Sequence, residues 1–334
     1  MTDPARHPFT LALLAVLCVG LAAVHQSFGA VWIPPGTVLS ALAAPSDGFL
    51  ETVVLRQRLP RLEVAAFAGA ALAVAGFALQ KVLRNPLVSP STLGISGGAA
   101  LAVVAGQFFL ALRGGSLLLP ATAGAGTALM ATLALSRLIA GQGDPRLDLV
   151  LAGSMVSMLC GALTTFLVSL DPQAFDGLMR WLVGDIGLQD SRALPLTAGP
   201  AAAAAAGLLA LSRTTDLLAA GDDTARALGL AAGAVTWMTV ALAVVLAVAA
   251  VATVGPIGFL GLVVPHMARL LLGEAGPAPL AGCLLLGPAM LILADILARC
   301  LMAPQVMITG TVMGLIGGAA FLALLLRLGR RGLE

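Results

Sequence analysis

Apolar residues run along this chain in long blocks, and short clusters of charge, proline and glycine separate them. A helix needs about 17–25 apolar residues to cross the hydrocarbon layer of a bilayer. Ten blocks approach that length: 9–24, 62–83, 93–112, 117–135, 147–170, 193–211, 231–254, 257–272, 280–298 and 306–328. The block at 257–272 is short and carries Pro265 and His266. The pattern predicts an all-α, polytopic transmembrane bundle of about ten helices, forming one domain over 1–334.

Composition agrees with the pattern. Of 334 residues 59% are hydrophobic and 10% charged, with a mean hydropathy of +1.02. A water-soluble domain of this size needs far more charge on its surface. The 39 glycines suit helices that pack closely or bend in lipid. A net charge of +2 is too small to suggest nucleic acid as a partner. Cys18, Cys160, Cys283 and Cys300 form no CxxC pair and read as small packing residues, not as a disulfide or metal site. The first block follows Arg6 and resembles a signal peptide, but no cleavage pattern follows, so it reads as a retained helix.

Basic residues set the orientation. With the N-terminus in the cytoplasm, 11 of the 18 Lys and Arg fall inside and 7 outside, which places both termini inside. Three of the outer seven cluster in Arg56-Gln57-Arg58-Leu59-Pro60-Arg61, against the usual bias. A docking surface for an acidic partner is one explanation. The longest polar connections, 31–61 and 171–192, carry Trp32 and Trp181, which read as headgroup anchors.

Several chemistries lack their residues. The single lysine, Lys81, follows no GxxxxGK loop, so the P-loop route to ATP hydrolysis is closed to this chain. His7, His25 and His266 form no HExxH, and His266 reads as a satisfied polar residue at a helix end. Acids deep in the apolar blocks are nearly missing, although ion-coupled carriers usually need them. The chain reads as no enzyme, with no cofactor or metal of its own, and as a transporter component driven by a partner.

Three segments stand out. In the first, Gln80, Lys81 and Arg84 lead into Asn85-Pro86-Leu87-Val88-Ser89-Pro90 and on to Leu93-Gly94-Ile95-Ser96-Gly97-Gly98. Pro86 and Pro90 break the helix after Arg84, and Gly94 with Gly98 makes a GxxxG face. Such bent backbone at membrane depth needs protein or a cavity around it. The second segment, 255–269, spaces Gly255, Gly258 and Gly261 as a ridge on a short helix between Pro256 and Pro265. The third, 214–229, offers Thr215 or Asp216 as one helix cap and Asp222 or Asp223 as another, with breaks at Gly221 and Gly229. It reads as a rigid cytoplasmic knob or as a solvated loop.

At these segments the sequence resembles the FecCD-type permeases, the membrane subunits of ATP-binding-cassette importers for iron–siderophore, haem and cobalamin. The resemblance runs from about residue 11 to 328. It implies a bacterial inner-membrane subunit that pairs into a dimer, with a second copy or a sister subunit, around a central pathway. Two cytoplasmic ATPase subunits would bind ATP-Mg, and a periplasmic or lipid-anchored binding protein would deliver the substrate. Arg58, Arg61 and Arg299 would dock that protein; exposed ion pairs add ~0–1 kcal/mol each and so give register more than affinity. Asp216, Gly221, Asp222, Asp223, Thr224, Arg226, Leu228 and Gly229, in a loop over about 213–230, would couple to the ATPase.

The fifth and tenth helices would line the path. The fifth offers Ser154, Met155, Ser157, Met158, Gly161 and Thr165; the tenth offers Met307, Thr311, Met313 and Gly314. For each of these, ordinary helix packing is the competing reading. The chain departs from the family pattern at Ser89, where an acid is usual, at Thr309, where a proline precedes the glycine, and at Gly318-Ala319, where Ala-Pro is common. The implied cargo is an iron(III)-siderophore. Haem or cobalamin transport and an autonomous secondary carrier are the alternatives.

Overall fold

Each apolar block folds as helix in the computed structural model, which describes residues 7–43, 48–139, 145–171, 180–188, 193–219, 230–303 and 305–331. The helices are α1 (His7–Ser27), α2 (Pro35–Ala43), α3 (Phe49–Val53), α4 (Leu59–Val82), α5 (Ile95–Leu110), α6 (Leu118–Ile139) and α7 (Pro145–Leu170). The second half adds α8 (Ala193–Ala210), α9 (Ser212–Ala219), α10 (Ala232–Val254), α11 (Leu260–Leu272), α12 (Ala278–Cys300) and α13 (Thr309–Arg331). No strand occurs among the described residues.

Six helical runs are long and apolar enough to cross a bilayer: α1, Phe49–Val82, α6, Leu147–Leu170 of α7, α10 and α12. A seventh is α8 with α9, bent by 54° between them, and α5, α11 and Thr309–Ala323 of α13 are shorter apolar helices. Together these account for the ten blocks. The chain is a multi-pass helical membrane protein.

Burial separates centre from rim. The apolar stretch of Phe49–Val82 is 72% buried and that of α12 67%, whereas that of α1 is 6% buried and lies at the rim. The central helices touch through glycine. A Cβ on Gly69 would meet the carbonyl of Gly287 in α12, and one on Gly76 would collide with the carbonyl of Gly261 in α11. Without side chains at these crossings the backbones come into contact, the ordinary route to tight helix packing where lipid offers no hydrophobic drive.

The structure corrects several expectations. The stretch 31–61 is not a polar connection. It holds α2, α3 and a π-helical turn, Val54–Arg58, that runs straight into α4. Ile33, Val38, Ala41 and Val54 form a small core of their own, which keeps this stretch helical. Pro60 lacks an N–H and its ring crowds the carbonyl four residues back; the wider π turn makes room for it.

Both glycines of the GxxxG pair pack closely: Gly98 lies against Gly124 and Ala128 of α6, and Gly94, a left-handed residue at φ 80 before α5, lies against Thr132 and Val156. A side chain at Gly94 would be strained whatever the space. The glycine ridge at 255–261 is likewise not one helix, because Gly255 ends α10 and α11 begins only at Leu260. His266 therefore sits inside α11 and not at its end. Thr215 and Asp216 do not cap a helix either, since α9 starts at Ser212 and both lie within it. Trp32 is exposed as an anchor would be, but Trp181 packs on the main core.

Candidate functional site

Arg61 near the start of α4 and Lys81 at its end are 20 residues apart, about 30 Å along a helix. Each is the centre of a polar cluster, so one central helix connects the two.

At the first end everything turns on Asp295, one turn from the end of α12 and fully buried. Arg61 grips its carboxylate with two nitrogens, Nη2 at 2.7 Å and Nε at 2.9–3.0 Å. Arg299, one turn along the same helix, approaches at 3.0 Å. His25 of α1 contributes Nε2 at 2.9 Å and Thr309 of α13 its hydroxyl at 2.7 Å. A carboxylate can only accept, so His25 donates through Nε2. A lone buried carboxylate would be very unfavourable; two guanidiniums and two further donors offset that. One side chain thereby joins α1, α4, α12 and α13.

Backbone carbonyls hold the remaining donors. Arg299 donates to the carbonyls of Phe28, at 2.9 Å, and His25, at 3.2 Å. Arg58 donates to the carbonyls of Gln26 and Val31. The three arginines expected to dock a partner are therefore not free surface residues: Arg58 and Arg299 are each 6% exposed and the Arg61 side chain 14%. They instead form the floor of a cavity of about 590 Å³, which Arg56, Phe49 and Val306 also line. Arg56 is exposed at its rim. The neighbouring loop is pinned by its own pair, Arg180 to buried Asp185 at 2.7 Å, and by the Gly310 amide donating to the Gly184 carbonyl at 2.8 Å.

At the other end, Lys81 forms an ion pair with Asp216 of α9, and the second carboxylate oxygen of Asp216 accepts from the Gly276 amide at 2.8 Å. Arg84 donates to the Leu218 carbonyl at 2.7 and 3.1 Å. Arg269 of α11 donates to Gln80, which itself donates to the carbonyls of Gly261 and Leu262 at 3.3 and 3.4 Å. Lys81 and Arg269 both lie over the Phe77 ring, at 5.5 and 5.4 Å. Of the expected coupling residues, Gly221, Asp222, Asp223, Thr224, Arg226, Leu228 and Gly229 lie outside the described residues.

The bent connection between α4 and α5 is buried in protein, as its backbone requires. Asn85 accepts the Leu87 amide at 2.9 Å. Ser89, standing where an acid was expected, exchanges bonds with Thr92: its amide donates to Thr92 Oγ1 at 2.7 Å and its hydroxyl accepts the Thr92 amide at 3.2 Å. Ser157 of α7 donates to the Ser91 carbonyl at 2.9 Å. Ser157, half-buried and expected in the path lining, thus also braces the turn.

The other path candidates divide. Met155, Met158, Gly161 and Thr165 are exposed on α7, and Ser154 bonds to its own helix at Val150. On α13 Thr311 is exposed and Gly314 half-buried, while Met307, expected on the same helix, lies half-buried just before it. Met313 is fully buried in the main core, a correction, because it sits on the face of α13 turned towards the bundle. Gly317 and Gly318 make room for Phe259, which accounts for small residues there.

Sequence reasoning missed Asp295, His25 and Thr309. The available signal was an acid one turn before an arginine inside an apolar block.

Comparison with known proteins places this geometry. The FecCD transport family matches residues 12–327. The Fe(3+)-citrate import system permease protein YfmE of Bacillus subtilis (strain 168) is 34% identical over 96% of this chain and 95% of its own length. The ferric enterobactin transport system permease protein FepD of Escherichia coli (strain K12) is also 34% identical, over 96% and 95%. The hemin transport system permease protein HmuU of Yersinia pestis reaches 36% over 96% and 94%. A solved structure described as an inward-facing conformation of a metal-chelate type ABC transporter superimposes with a TM-score of 0.77 at 27% identity, covering 96% of this chain and 99% of that one.

Proposed function

The chain belongs to the FecCD transport family of ABC-importer permeases, and from that premise we propose that it carries an iron(III)-siderophore across the bacterial inner membrane. In this reading a second permease copy completes the pathway. Two cytoplasmic ATPase subunits bind ATP-Mg and supply the energy, and a binding protein delivers the chelate from outside. Both termini lie in the cytoplasm, so Arg61 and Asp295 mark the outer end and Lys81 and Asp216 the inner end.

The observation that carries the reading is the pair of polar clusters at opposite ends of α4, one for each kind of partner. At the outer end the arginine-floored cavity suits an acidic side chain of the delivery protein, with exposed Arg56 meeting it first. Arg58, Arg61 and Arg299 would act there as a fixed positive floor. At the inner end α9 leads directly into 220–229, the proposed contact with the ATPase.

The competing autonomous carrier would need an intramembrane acid free to take and release an ion. Asp295, the fully buried acid of α12, is already occupied by two arginines, a histidine and a threonine. The cargo follows from relatives named for ferric enterobactin and Fe(3+)-citrate; the hemin relative keeps haem as the next test. Vesicles holding the permease with its cognate ATPase and binding protein should take up radioiron-labelled ferric siderophore saturably. Uptake of haem or cobalamin alone would change the cargo, and uptake of none of the three would refute the proposal.

A further inference from the structure

The inner cluster is more specific than a docking site requires. Lys81 is the single lysine of the chain, and its side chain is only 7% exposed. It projects from the last turn of α4 to Asp216 and also donates to the Ser212 carbonyl at 3.3 Å. Asp216 in turn holds the Gly276 amide, in the connection between α11 and α12. One carboxylate on α9 is thus bonded to α4 and to the entrance of α12.

Arg84 adds a second tie. Its guanidinium takes the Leu218 carbonyl, one of the last carbonyls of α9, which have no partner within the helix itself. Lys81 and Arg84 stand three residues apart, so both reach α9 from the same side of the α4 terminus. Meanwhile α9 leaves the axis of α8 by 54°. Its buried residues, Ser212, Thr215 and Leu218, form the face packed inwards. The short helix is held sideways by α4 as well as end-on by α8.

We propose that Lys81 and Asp216 are a positioning pair that carries movement of the coupling loop into α4 and α12, the central helices, instead of into α8 alone. The proposal rests on the ABC-importer reading above. A displacement of α9 is passed by the ion pair to the end of α4. The same carboxylate passes it to the Gly276 turn. These two central helices also carry Arg61 and Asp295 at their outer ends, so the strut connects the energy-supplying face to the delivery face through one packed unit.

The test uses the whole transporter, permease with cognate ATPase and binding protein in vesicles, measuring ATP hydrolysis and substrate uptake together. Asp216→Asn keeps an oxygen for the Gly276 amide and removes the charge. Lys81→Met keeps most of the length of the side chain and removes the charge. Each variant is expected to assemble with the ATPase and hydrolyse ATP, while uptake per ATP falls about tenfold, an ordinary size for coupling between sites. The exchanged double variant Lys81→Asp with Asp216→Lys should recover at least half of the loss. Unchanged uptake per ATP in both single variants would overturn the pair's role. So would an exchanged variant that assembles normally and recovers nothing, or single variants that lose the ATPase altogether, since that is a purely structural effect. Wild-type uptake that needs no ATPase would overturn the importer reading itself, and the wild-type control separates that outcome from the others.

Discussion

Replacing Asp295 by alanine would leave the largely buried Arg61 and Arg299 beside each other without the carboxylate they share. Breaking a buried ionic network by removing one partner costs about 3–5 kcal/mol. D295A should therefore lower the melting temperature in detergent and the amount of protein that accumulates, and an unchanged melting temperature would contradict the network. The arginines offer a second residue-scale contrast. R56E reverses an exposed charge and should weaken binding-protein docking with melting unchanged, whereas R61E removes the two-nitrogen grip on Asp295 and should melt early. Docking that R56E leaves intact would move the contact elsewhere. The sequence flagged Arg58 and Arg61 because they broke the inside bias of basic residues. It did not flag their carboxylate, since Arg61 and Asp295 are separated by 234 positions. Thr309 was noted as a departure from the family pattern, but only its 2.7 Å bond to Asp295 shows what the hydroxyl does.

At the scale of elements, the glycine crossings of α4 make the sharpest claim. Valine at Gly76 would drive a Cβ into the Gly261 carbonyl, and backbone on both sides cannot give way. Overpacking of this kind costs about 1–3 kcal/mol and sometimes more, so G76V should fail to accumulate or melt well below the parent. G126V should do neither, because a Cβ there meets nothing within 4 Å. Equal behaviour of the two in a melting assay would contradict the packing described. Block length alone revealed the ten apolar helices, since the bilayer sets how many residues a span must hold. It did not reveal where helices start. The ridge of Gly255, Gly258 and Gly261 reads as one helix by spacing, yet only Gly261 lies in α11. The role of Gly76 was equally hidden, because nothing in the sequence distinguishes a glycine at a crossing from one facing lipid.

For the molecule as a whole, the proposed pairing of two copies places the exposed face of α7 at the dimer axis. Met158 is 76% exposed and Met155 51%, and a cysteine at 158 in a cysteine-free background should crosslink between copies. Well-folded protein that gives no crosslinked dimer would favour another arrangement. The division of α7 also shows why its role was only half visible in sequence. One small polar face looked like a path lining, but Ser157 on it also braces the α4–α5 turn. The polar exceptions now have fixed places, at two ends of a central unit built from α4 and α12. The proposed function makes that arrangement a passive pathway whose movement comes from outside the chain. Reconstituted vesicles test it most directly, by comparing uptake with the ATPase and ATP, with the ATPase and no nucleotide, and with the permease alone. A permease driven by its ATPase takes up substrate only in the first case; equal uptake by the permease alone would rule out a passive pathway.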